Sequence, residues 1–355
     1  METHATGDRN VEQMFGNGGL VGISGKLNIR DKDDLSIAYT PGVGQCCLEI
    51  KADDDKFWEL TNAINTVMVL SDGSGVLPKG EIRSSSFVLP LLELRAYAYK
   101  ALGNLDAYPL VYDRSIITTV DELAELIKDL SLTTGCIHLC DVDPELTVGL
   151  EEKLTGVKCV IVLPTLKEPL LAKVPLEEDL SYITKLVLAL LVKVLMRNKR
   201  WGCLPSDIFV KLVKMAEQRI DEEDESALKS RILAKIHSLL LKSGVESPIQ
   251  VESWDLRTDF RSLKQRDALF YRNYSAFTSS ENSVFVHRTL EGKIGVQLKT
   301  VVSDLRSLFK PPFLRGLREL CVRVNQQPEL ERTMTIKRNY CAIITDGTAI
   351  LGLGD

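Results

Sequence analysis

Residues 65–80 read NTVMVLSDGSGVLPKG, and residues 339–354 read NYCAIITDGTAILGLG. Each stretch contains an Asn, an apolar run typical of a strand, a Ser/Thr-Asp-Gly turn, a second apolar run and a final Gly. The match extends upstream, where Gly25-Lys26-Leu27 is echoed by Gly292-Lys293-Ile294. Ordered self-similarity of this kind indicates an internal repeat. We call the two copies copy one, which covers residues 25–164, and copy two, which covers residues 285–355.

The composition is typical of a soluble globular protein. The chain has 355 residues, of which 45% are hydrophobic and 26% are charged, and this length predicts about two to three domains. A formal net charge of −5 argues against nucleic acid as a partner, because phosphates require a basic face. The longest apolar run, residues 186–196, contains Lys193 and is too short to span a membrane. No secretory signal is evident, so we expect a cytoplasmic location, with a mitochondrial or other organellar location left open.

The eight cysteines are typical of a reducing compartment, because several lie inside apolar strand-like runs. Cys136, His138 and Cys140 alternate along one such run and could suggest zinc. A structural zinc site usually needs a second pair of ligands, and the sequence offers none nearby. We therefore favour a buried strand over a zinc site for this run.

The order of the predicted elements indicates an α/β fold with a mostly parallel sheet, because short β-branched runs alternate with helical stretches over residues 25–164. The predicted strands are 66–70, 107–112, 136–139 and 158–163, and the predicted helices are 87–102, 120–130 and 144–154. The remaining chain is divided into a flexible lead-in (1–24), a helical segment (165–245) with Ser206 as a helix cap, a poorly determined connector (246–284) and partial copy two (285–355).

Copy one resembles the N-terminal substrate domain of malic enzymes of the small bacterial type. Residues 35–43 read LSIAYTPGV, which is similar to the Tyr-Thr-Pro-Gly-Val signature of that family. The stretch 65–76, the stretch 89–101 and LDAYP at 105–109 follow in the family's order. Copy two resembles a truncated second domain of the same kind.

The resemblance implies roles for particular positions. Malic enzymes oxidise malate with NAD or NADP and then decarboxylate oxaloacetate on a divalent metal. A Tyr and a Lys transfer the protons, and a Glu-Asp pair and a later Asp hold the metal. Tyr39 stands at the tyrosine position as a possible general acid, or as a tyrosine packed beside the Pro41 turn. Arg95 stands at the lysine position, where it can bind a carboxylate but cannot readily act as a base.

The resemblance also implies that the metal site is incomplete. Cys140-Asp141 replaces the Glu-Asp pair, and a thiol is a poor ligand for Mg²⁺ or Mn²⁺. No acid falls within Val160–Pro164, where the later Asp is expected, so Asp141 is the remaining oxygen ligand. Residues 165–285 contain no Gly-x-Gly-x-x-Gly turn for a dinucleotide. In copy two, Phe309 occupies the tyrosine position.

Three functions are compatible with these residues. The first is a malic-enzyme-like protein that is catalytically degenerate and acts as a scaffold or regulatory module, with no cofactor. The second is a fragment of a malic enzyme, which requires NAD(P) and Mg²⁺ or Mn²⁺. The third is a sensor in which Arg95 binds a small dicarboxylate. Because malic enzymes assemble through this domain, we expect a homo-oligomer or a larger protein assembly.

Overall fold

The structure, a computed structural model, describes most of the chain. The described ranges are 11–27, 29–77, 79–164, 181–218, 224–245, 248–249, 279–300 and 302–348. The chain forms two compact units, each assembled from distant segments. The first unit contains Met1–Gly22, Asn65–Arg257 and Val296–Arg338, and the second contains Ile23–Ile64, Thr258–Gly295 and Asn339–Asp355. These discontinuous units differ from the consecutive domains predicted from the sequence.

A five-stranded parallel sheet forms the centre of the first unit. Its strands are β2 (Thr66–Ser71), β3 (Asp106–Val111), β4 (Cys136–Leu139), β5 (Val160–Val162) and β6 (Gly202–Cys203). They lie in the order β3-β2-β4-β5-β6, and every described pairing is parallel. The predicted α/β class with a mostly parallel sheet is thus confirmed. The predicted strand 158–163 is shorter than expected.

The helices of the first unit pack against this sheet and against one another. They are α4 (Leu89–Gly103), α5 (Val120–Ser131), α6 (Leu150–Lys153), α7 (Tyr182–Arg197), α8 (Ser206–Glu217), α9 (Glu225–Lys242), α11 (Pro311–Gln326) and α12 (Glu331–Met334). Ile137 and Leu139 of β4 join Leu123 of α5 in one apolar cluster. His138 lies between them in sequence and contacts Tyr99 of α4, because successive side chains of a strand point to opposite faces.

The helix boundaries follow local sequence signals. α5 begins with a capping box in which Thr119 and Glu122 each bond the other's backbone N–H. Asp224 caps α9 by accepting a hydrogen bond from Ala227 N–H. The prediction that Ser206 caps α8 is wrong, since the cap position is Pro205, which makes no side-chain cap hydrogen bond. Among the described residues, no helix has the length and apolarity needed to cross a membrane.

The second unit contains α1 (Lys32–Ala38), α2 (Gly42–Ala52), α3 (Phe57–Leu60) and α10 (Ser279–Leu290). α10 packs against α1, α2 and α3, and Val284 joins Cys46 and Leu60 in an apolar cluster. The strands β1 (Val21–Gly25) and β7 (Ile294–Leu298) form a two-stranded sheet. Residues 23–25 of β1 and residues 294–295 of β7 belong to the second unit, and the other residues of these strands belong to the first.

Four segments differ from their sequence predictions. The lead-in 1–24 was expected to be flexible, yet residues 11–15 are helical and Phe15 and Leu20 are fully buried, while residues 1–10 lie outside the described residues. The segment 165–245 contains the sheet strand β6 as well as helices. α10 begins inside the predicted connector 246–284, of which residues 246–247 and 250–278 lie outside the described residues. The predicted apolar strand of copy two is irregular over 341–346. Each difference depends on packing between distant segments, which local patterns do not encode.

Candidate functional site at the switch point of the sheet

The candidate site lies where the direction of the strand order reverses. The chain runs from β2 to β3 on one side and then to β4 on the other side of β2. In open parallel sheets, ligands bind at the carboxyl ends of the two strands that flank such a point. Here those ends lead into residues 72–75 after β2 and residues 140–143 after β4.

A buried ion pair between Arg95 and Asp141 lies beside this point. Arg95 projects from α4 with its side chain 1% exposed, and the Asp141 side chain is 6% exposed. Nη1 of Arg95 donates to Oδ2 of Asp141, and Nη2 donates to Oδ1 at 3.3 Å. The guanidinium therefore engages both oxygens of the carboxylate, the geometry that Arg supports and Lys does not.

Hydrogen bonds to the backbone of Asp141 join the two loops. The Gly75 N–H donates to the Asp141 carbonyl oxygen at 2.9 Å, and Ser71 Oγ donates to the same oxygen at 3.3 Å. Asp141 has a positive φ of 51°. A Cβ at Gly75 would lie 2.8 Å from the Asp141 Cα, so the approach of the loops requires glycine there.

A second charged group lies at the same edge of the sheet. Asp72 is fully buried and accepts a hydrogen bond from the Tyr112 hydroxyl at 3.2 Å. Arg114 Nη2 donates to Asp143 Oδ2 at 2.8 Å, and Arg114 Nε lies 3.8 Å from Asp72 Oδ2. Burial, together with Asp72, raises the pKa of Tyr112 above its usual value, so this phenol remains a hydrogen-bond donor.

Sequence reasoning missed Asp72, Tyr112, Arg114 and Asp143. The signal was available, because each follows the end of a strand within four residues. The carboxyl ends of parallel strands meet at one edge, so polar residues at those positions converge in space. A search of strand ends, rather than of family positions, would have found them.

Glu93 lies two residues before Arg95 on α4 and has a structural role. Its Oε2 accepts the Leu20 N–H and its Oε1 accepts the Ile336 N–H, each at 2.7 Å. Burial raises the pKa of Glu93 to about 8, although these backbone hydrogen bonds and the nearby Lys299 act in the opposite direction. Glu93 thus joins three segments that are distant in sequence.

Stability is expected to decrease with pH because of Glu93. The pKa of a glutamate in the unfolded chain is near 4.5, and that of Glu93 in the folded chain is about 8, so the folded state binds the extra proton between these values. The free energy of unfolding should therefore fall from pH 4.5 to about pH 8. Urea unfolding at several pH values measures this slope, and Glu93→Gln should remove it. As a control, Glu122→Gln should leave the slope intact, because the pKa of Glu122 is lowered to about 2 by the N–H and hydroxyl groups of Thr118 and Thr119. An unchanged slope in Glu93→Gln would contradict the assignment.

Tyr39 lies in the other unit from Arg95 and Asp141. Tyr39 directly follows the last residue of α1 and is 62% exposed, and the Thr40–Pro41 peptide bond is cis. Three residues are predicted for the site, and the structure brings two of them, Arg95 and Asp141, together within the first unit.

The residues around Asp141 do not fit a hard divalent cation. Both oxygens of Asp141 are engaged by Arg95, and Cys140 is buried with its Sγ 3.8 Å from the Leu70 carbonyl oxygen. Magnesium and manganese need several oxygen ligands, and in the described part of the chain no three His, Cys, Asp or Glu side chains are placed to hold a metal. We therefore assign no chemical step to a metal at this site.

The run considered for zinc is part of the core. Cys136 is fully buried, and burial raises the pKa of its thiol well above the usual value. The ring nitrogen Nδ1 of His138 lies 3.1 Å from the Tyr99 hydroxyl oxygen. Zinc binds thiolate rather than thiol, so a buried neutral Cys136 does not favour this site.

The described sheet and its charged switch point define an α/β domain of the class that binds small ligands at the carboxyl ends of parallel strands. About 40% of the chain, in its N-terminal region, is homologous to malic enzymes. An NAD-dependent malic enzyme of Geobacillus stearothermophilus is 33% identical over 137 residues, which are 39% of this chain and 28% of that enzyme. A bifunctional malic/malolactic enzyme of Bacillus subtilis is 33% identical over 138 residues, which are 39% of this chain and 33% of that enzyme.

Solved structures of malic enzymes are also similar to the chain. The malic enzyme of Pyrococcus horikoshii has a TM-score of 0.39 and 28% identity, covering 43% of this chain and 36% of that chain. The NAD-dependent malic enzyme of Thermotoga maritima has a TM-score of 0.37 and 22% identity, covering 62% of this chain and 50% of that chain. No family model matches the chain. The matched region spans about a third or less of the length of the Geobacillus and Bacillus enzymes.

Proposed function

We propose that this chain is a malic-enzyme-like protein in which the site of copy one is catalytically degenerate and serves as a scaffold or regulatory module. The observation that carries this proposal is the buried, two-oxygen ion pair between Arg95 and Asp141. These two residues stand at the family's lysine and metal-ligand positions. In this chain each is the other's partner.

The chemistry of malate oxidation explains why this arrangement disfavours turnover. The reaction needs a base for the malate hydroxyl, an acid for the enol carbon and a hard cation to polarise the carbonyl. Arginine stays protonated at any working pH and cannot serve as the base. Both Asp141 oxygens are bonded to Arg95, and the residue before it, where the family has Glu, is Cys140, which supplies no oxygen ligand.

The proposal predicts that the purified chain, given malate, Mn²⁺ and NAD or NADP, reduces no cofactor above the rate of a Tyr39→Phe control. The physical reason is that neither the base nor the metal site is available in copy one. Absorbance of the reduced nicotinamide measures the rate. Malate-dependent reduction that exceeds the control and responds to Mn²⁺ would contradict the proposal. The double variant Arg95→Lys/Cys140→Glu restores the family's residue types at these two positions. Its rate relative to that of the parent chain measures how far the two positions limit the reaction.

A fragment of an NAD(P)-dependent malic enzyme is the second candidate. The match to the Geobacillus enzyme favours it, because the matched region is 33% identical and covers 28% of that enzyme. Such an enzyme would require NAD(P) and Mg²⁺ or Mn²⁺. A reading frame that continues past Asp355 into a Lys, a Glu-Asp pair and a glycine-rich turn would support this candidate over the first.

A dicarboxylate sensor has less support from the geometry. A ligand carboxylate could reach Arg95 only by replacing Asp141, because the Arg95 side chain is 1% exposed. Calorimetry with malate, fumarate and pyruvate distinguishes this role. We also propose self-association or a larger protein assembly, which follows from the malic-enzyme resemblance, and a cytoplasmic location, which follows from the sequence pattern and leaves a mitochondrial or other organellar location open.

A further inference from the structure

The helix that carries Arg95 packs on a helical part of copy two. We call residues 305–338, which contain α11 and α12, the C-terminal helices. α11 packs against α4 and against the 3₁₀ turn at residues 85–88, all within the first unit. The apolar side chains of α11 that are no more than 2% exposed include Leu317, Leu320 and Val324. This packing joins α11 to the start of the helix that positions Arg95.

Asn325 of α11 fixes the segment of chain that leads into α4. We call residues 81–88, which lie between the turn after β2 and α4, the connecting segment. Asn325 is 7% exposed, its Oδ1 accepts the Arg83 N–H at 2.9 Å, and its Nδ2 donates to the Glu81 carbonyl oxygen at 2.8 Å. Arg83 Nη1 donates to the Gln326 carbonyl oxygen at 3.1 Å, at the end of α11. Because the bonds of Asn325 go to the backbone, they specify where this segment lies.

Glu331 of α12 holds the same segment at a second point. It is 6% exposed, and its Oε1 accepts a hydrogen bond from Ser86 Oγ. Its Oε2 accepts from Lys337 Nζ, so the buried carboxylate has a cation as its partner. The connecting segment is therefore bound to both α11 and α12.

The C-terminal helices also reach the first two turns of α4. The Ile336 N–H donates to Glu93 Oε1 at 2.7 Å. Cys321 of α11 is 1% exposed, and burial raises the pKa of its thiol to about 12, with smaller, opposing effects of Asp141 and Arg95. The thiol thus lies close enough to the ion pair to sense both of its charges.

One continuous stretch of chain contacts Asp141 at both of its ends. At residue 75 the Gly75 N–H donates to the Asp141 carbonyl oxygen, and at residue 95 the Arg95 guanidinium pairs with the Asp141 carboxylate. The connecting segment lies between these ends. Its displacement would move the start of α4, and with it Arg95, so the bonds to the C-terminal helices restrict the ion pair.

The sheet itself has a separate core. The apolar cluster that contains Ile137, Leu139 and Leu123 includes, among the described residues, no residue of the C-terminal helices. Parts of a fold that do not share a core can open with different free energies. The connecting segment can therefore detach while β4 and its cluster stay folded.

We propose that the C-terminal helices are an internal regulatory element of the copy-one site, which keeps Arg95 paired with Asp141 and closed to other carboxylates by fixing the connecting segment. Release of the segment would open the first turns of α4 and expose the Arg95 guanidinium, whose fork geometry suits an outside carboxylate. This role rests on the proposed regulatory function and assigns the control of that same site to copy two.

Hydrogen exchange of the full chain tests this role. In Asn325→Ala we expect the Gly75 amide to exchange about 10-fold faster than in the parent chain, because the loss of two hydrogen bonds makes local opening more frequent. The Ile137 amide of β4 should change by less than about twofold, because its cluster is separate. Phenylglyoxal, which modifies exposed guanidinium groups, should label Arg95 in the variant and not in the parent chain, where this side chain is 1% exposed.

Asn198→Ala is the matched control. Asn198 Oδ1 accepts the Ile249 N–H at 2.6 Å, and its Nδ2 donates to the Ile249 carbonyl oxygen at 3.2 Å. It thus bonds both backbone groups of a distant residue, as Asn325 bonds backbone groups of the connecting segment. Its replacement should leave exchange at Gly75 and labelling of Arg95 unchanged. Equal acceleration of Gly75 in Asn198→Ala and Asn325→Ala would overturn the proposal, because the effect would then be a general loss of stability.

Arg83→Met is a milder variant, since Arg83 is exposed and only its bond to the Gln326 carbonyl oxygen is removed. It should accelerate Gly75 about threefold with Ile137 unchanged, and it decides the question if Asn325→Ala does not fold. Unchanged exchange at Gly75 in the folded variants, or acceleration of Ile137 equal to that of Gly75, would contradict the role of the C-terminal helices. These measurements need neither ligand nor turnover, so their failure is distinguishable from the malate-dependent reduction that would contradict the proposed function.

Discussion

Replacing Arg95 with methionine should lower the free energy of unfolding by about 3–5 kcal/mol, because it leaves the buried Asp141 carboxylate without its cation. The Arg95 and Asp141 side chains are 1% and 6% exposed, so water cannot take over the lost interaction. Asp141 also receives the Gly75 and Ser71 hydrogen bonds through its carbonyl, so its displacement would separate the two loops at the switch point. Urea unfolding followed by circular dichroism measures the change.

The matched control for Arg95→Met is Lys128→Met. Lys128 Nζ lies 2.8 Å from Glu125 Oε1, but the two side chains are 43% and 70% exposed. A pair in that setting contributes about 1 kcal/mol or less, because water and salt screen the charges. The double variant Arg95→Met/Asp141→Asn should lose less than the sum of the single variants, since no buried charge is left unpaired. Equal small losses for Arg95→Met and Lys128→Met would show that the buried pair does not stabilise the fold.

Replacing Gly19 with alanine should lower the free energy of unfolding by about 3–5 kcal/mol, from a steric conflict added to an unfavourable φ. The φ of Gly19 is +87°, and a Cβ there would lie 1.9 Å from Glu93 Oε2 and 2.7 Å from the Ile336 backbone nitrogen. Glu93 could move away only by giving up its bonds to Leu20 and Ile336. Thermal and urea unfolding measure the loss.

Gly149→Ala separates the two contributions at Gly19. Gly149 has a φ of +75°, and among the described residues no heavy atom outside its chain neighbours lies within 4 Å of the position that a Cβ would take, so its replacement brings only the conformational cost of about 1–2 kcal/mol. The difference between the two variants gives the contribution of close packing against Glu93. If Gly19→Ala loses no more than Gly149→Ala, the segment around Gly19 can move away from α4, and the proposed role of Glu93 as a connector fails.

Most of the sheet could be predicted from local patterns. The predicted strand 136–139 coincides with β4, and the predicted helices 87–102 and 120–130 match α4 and α5 within two residues at each end. These elements have continuous apolar runs or strong caps, which act over a few residues. The two-residue strand β6 was missed, because Gly202-Cys203 has no strand pattern and becomes a strand only by pairing with β5.

The candidate site was only partly accessible from the sequence. The family motif placed Arg95 and Asp141 at functional positions, but 46 residues separate them, and their direct pairing was not predicted. From the sequence, Arg95 was a candidate for binding a dicarboxylate and Asp141 was the remaining ligand of an incomplete metal site, and the two were treated as separate groups. Packing of α4 beside the end of β4 decided that the two charges neutralise each other instead.

The sequence by itself determined the α/β class, the order of the main strands and helices, the repeat of the Ser/Thr-Asp-Gly turn and the malic-enzyme resemblance. These features depend on residue types within a short window, where periodicity, caps and turn residues act. Only the tertiary structure decided that Arg95 faces Asp141, that the hydrogen bonds of Glu93 join Leu20 and Ile336, and that Ile343 and Ile344 stay exposed while Val69 and Leu70 are buried. A similar strand-like sequence is a buried strand in copy one and an exposed, irregular segment in copy two. The reason is that a strand gains its hydrogen bonds and apolar burial from neighbouring strands and not from its own residues.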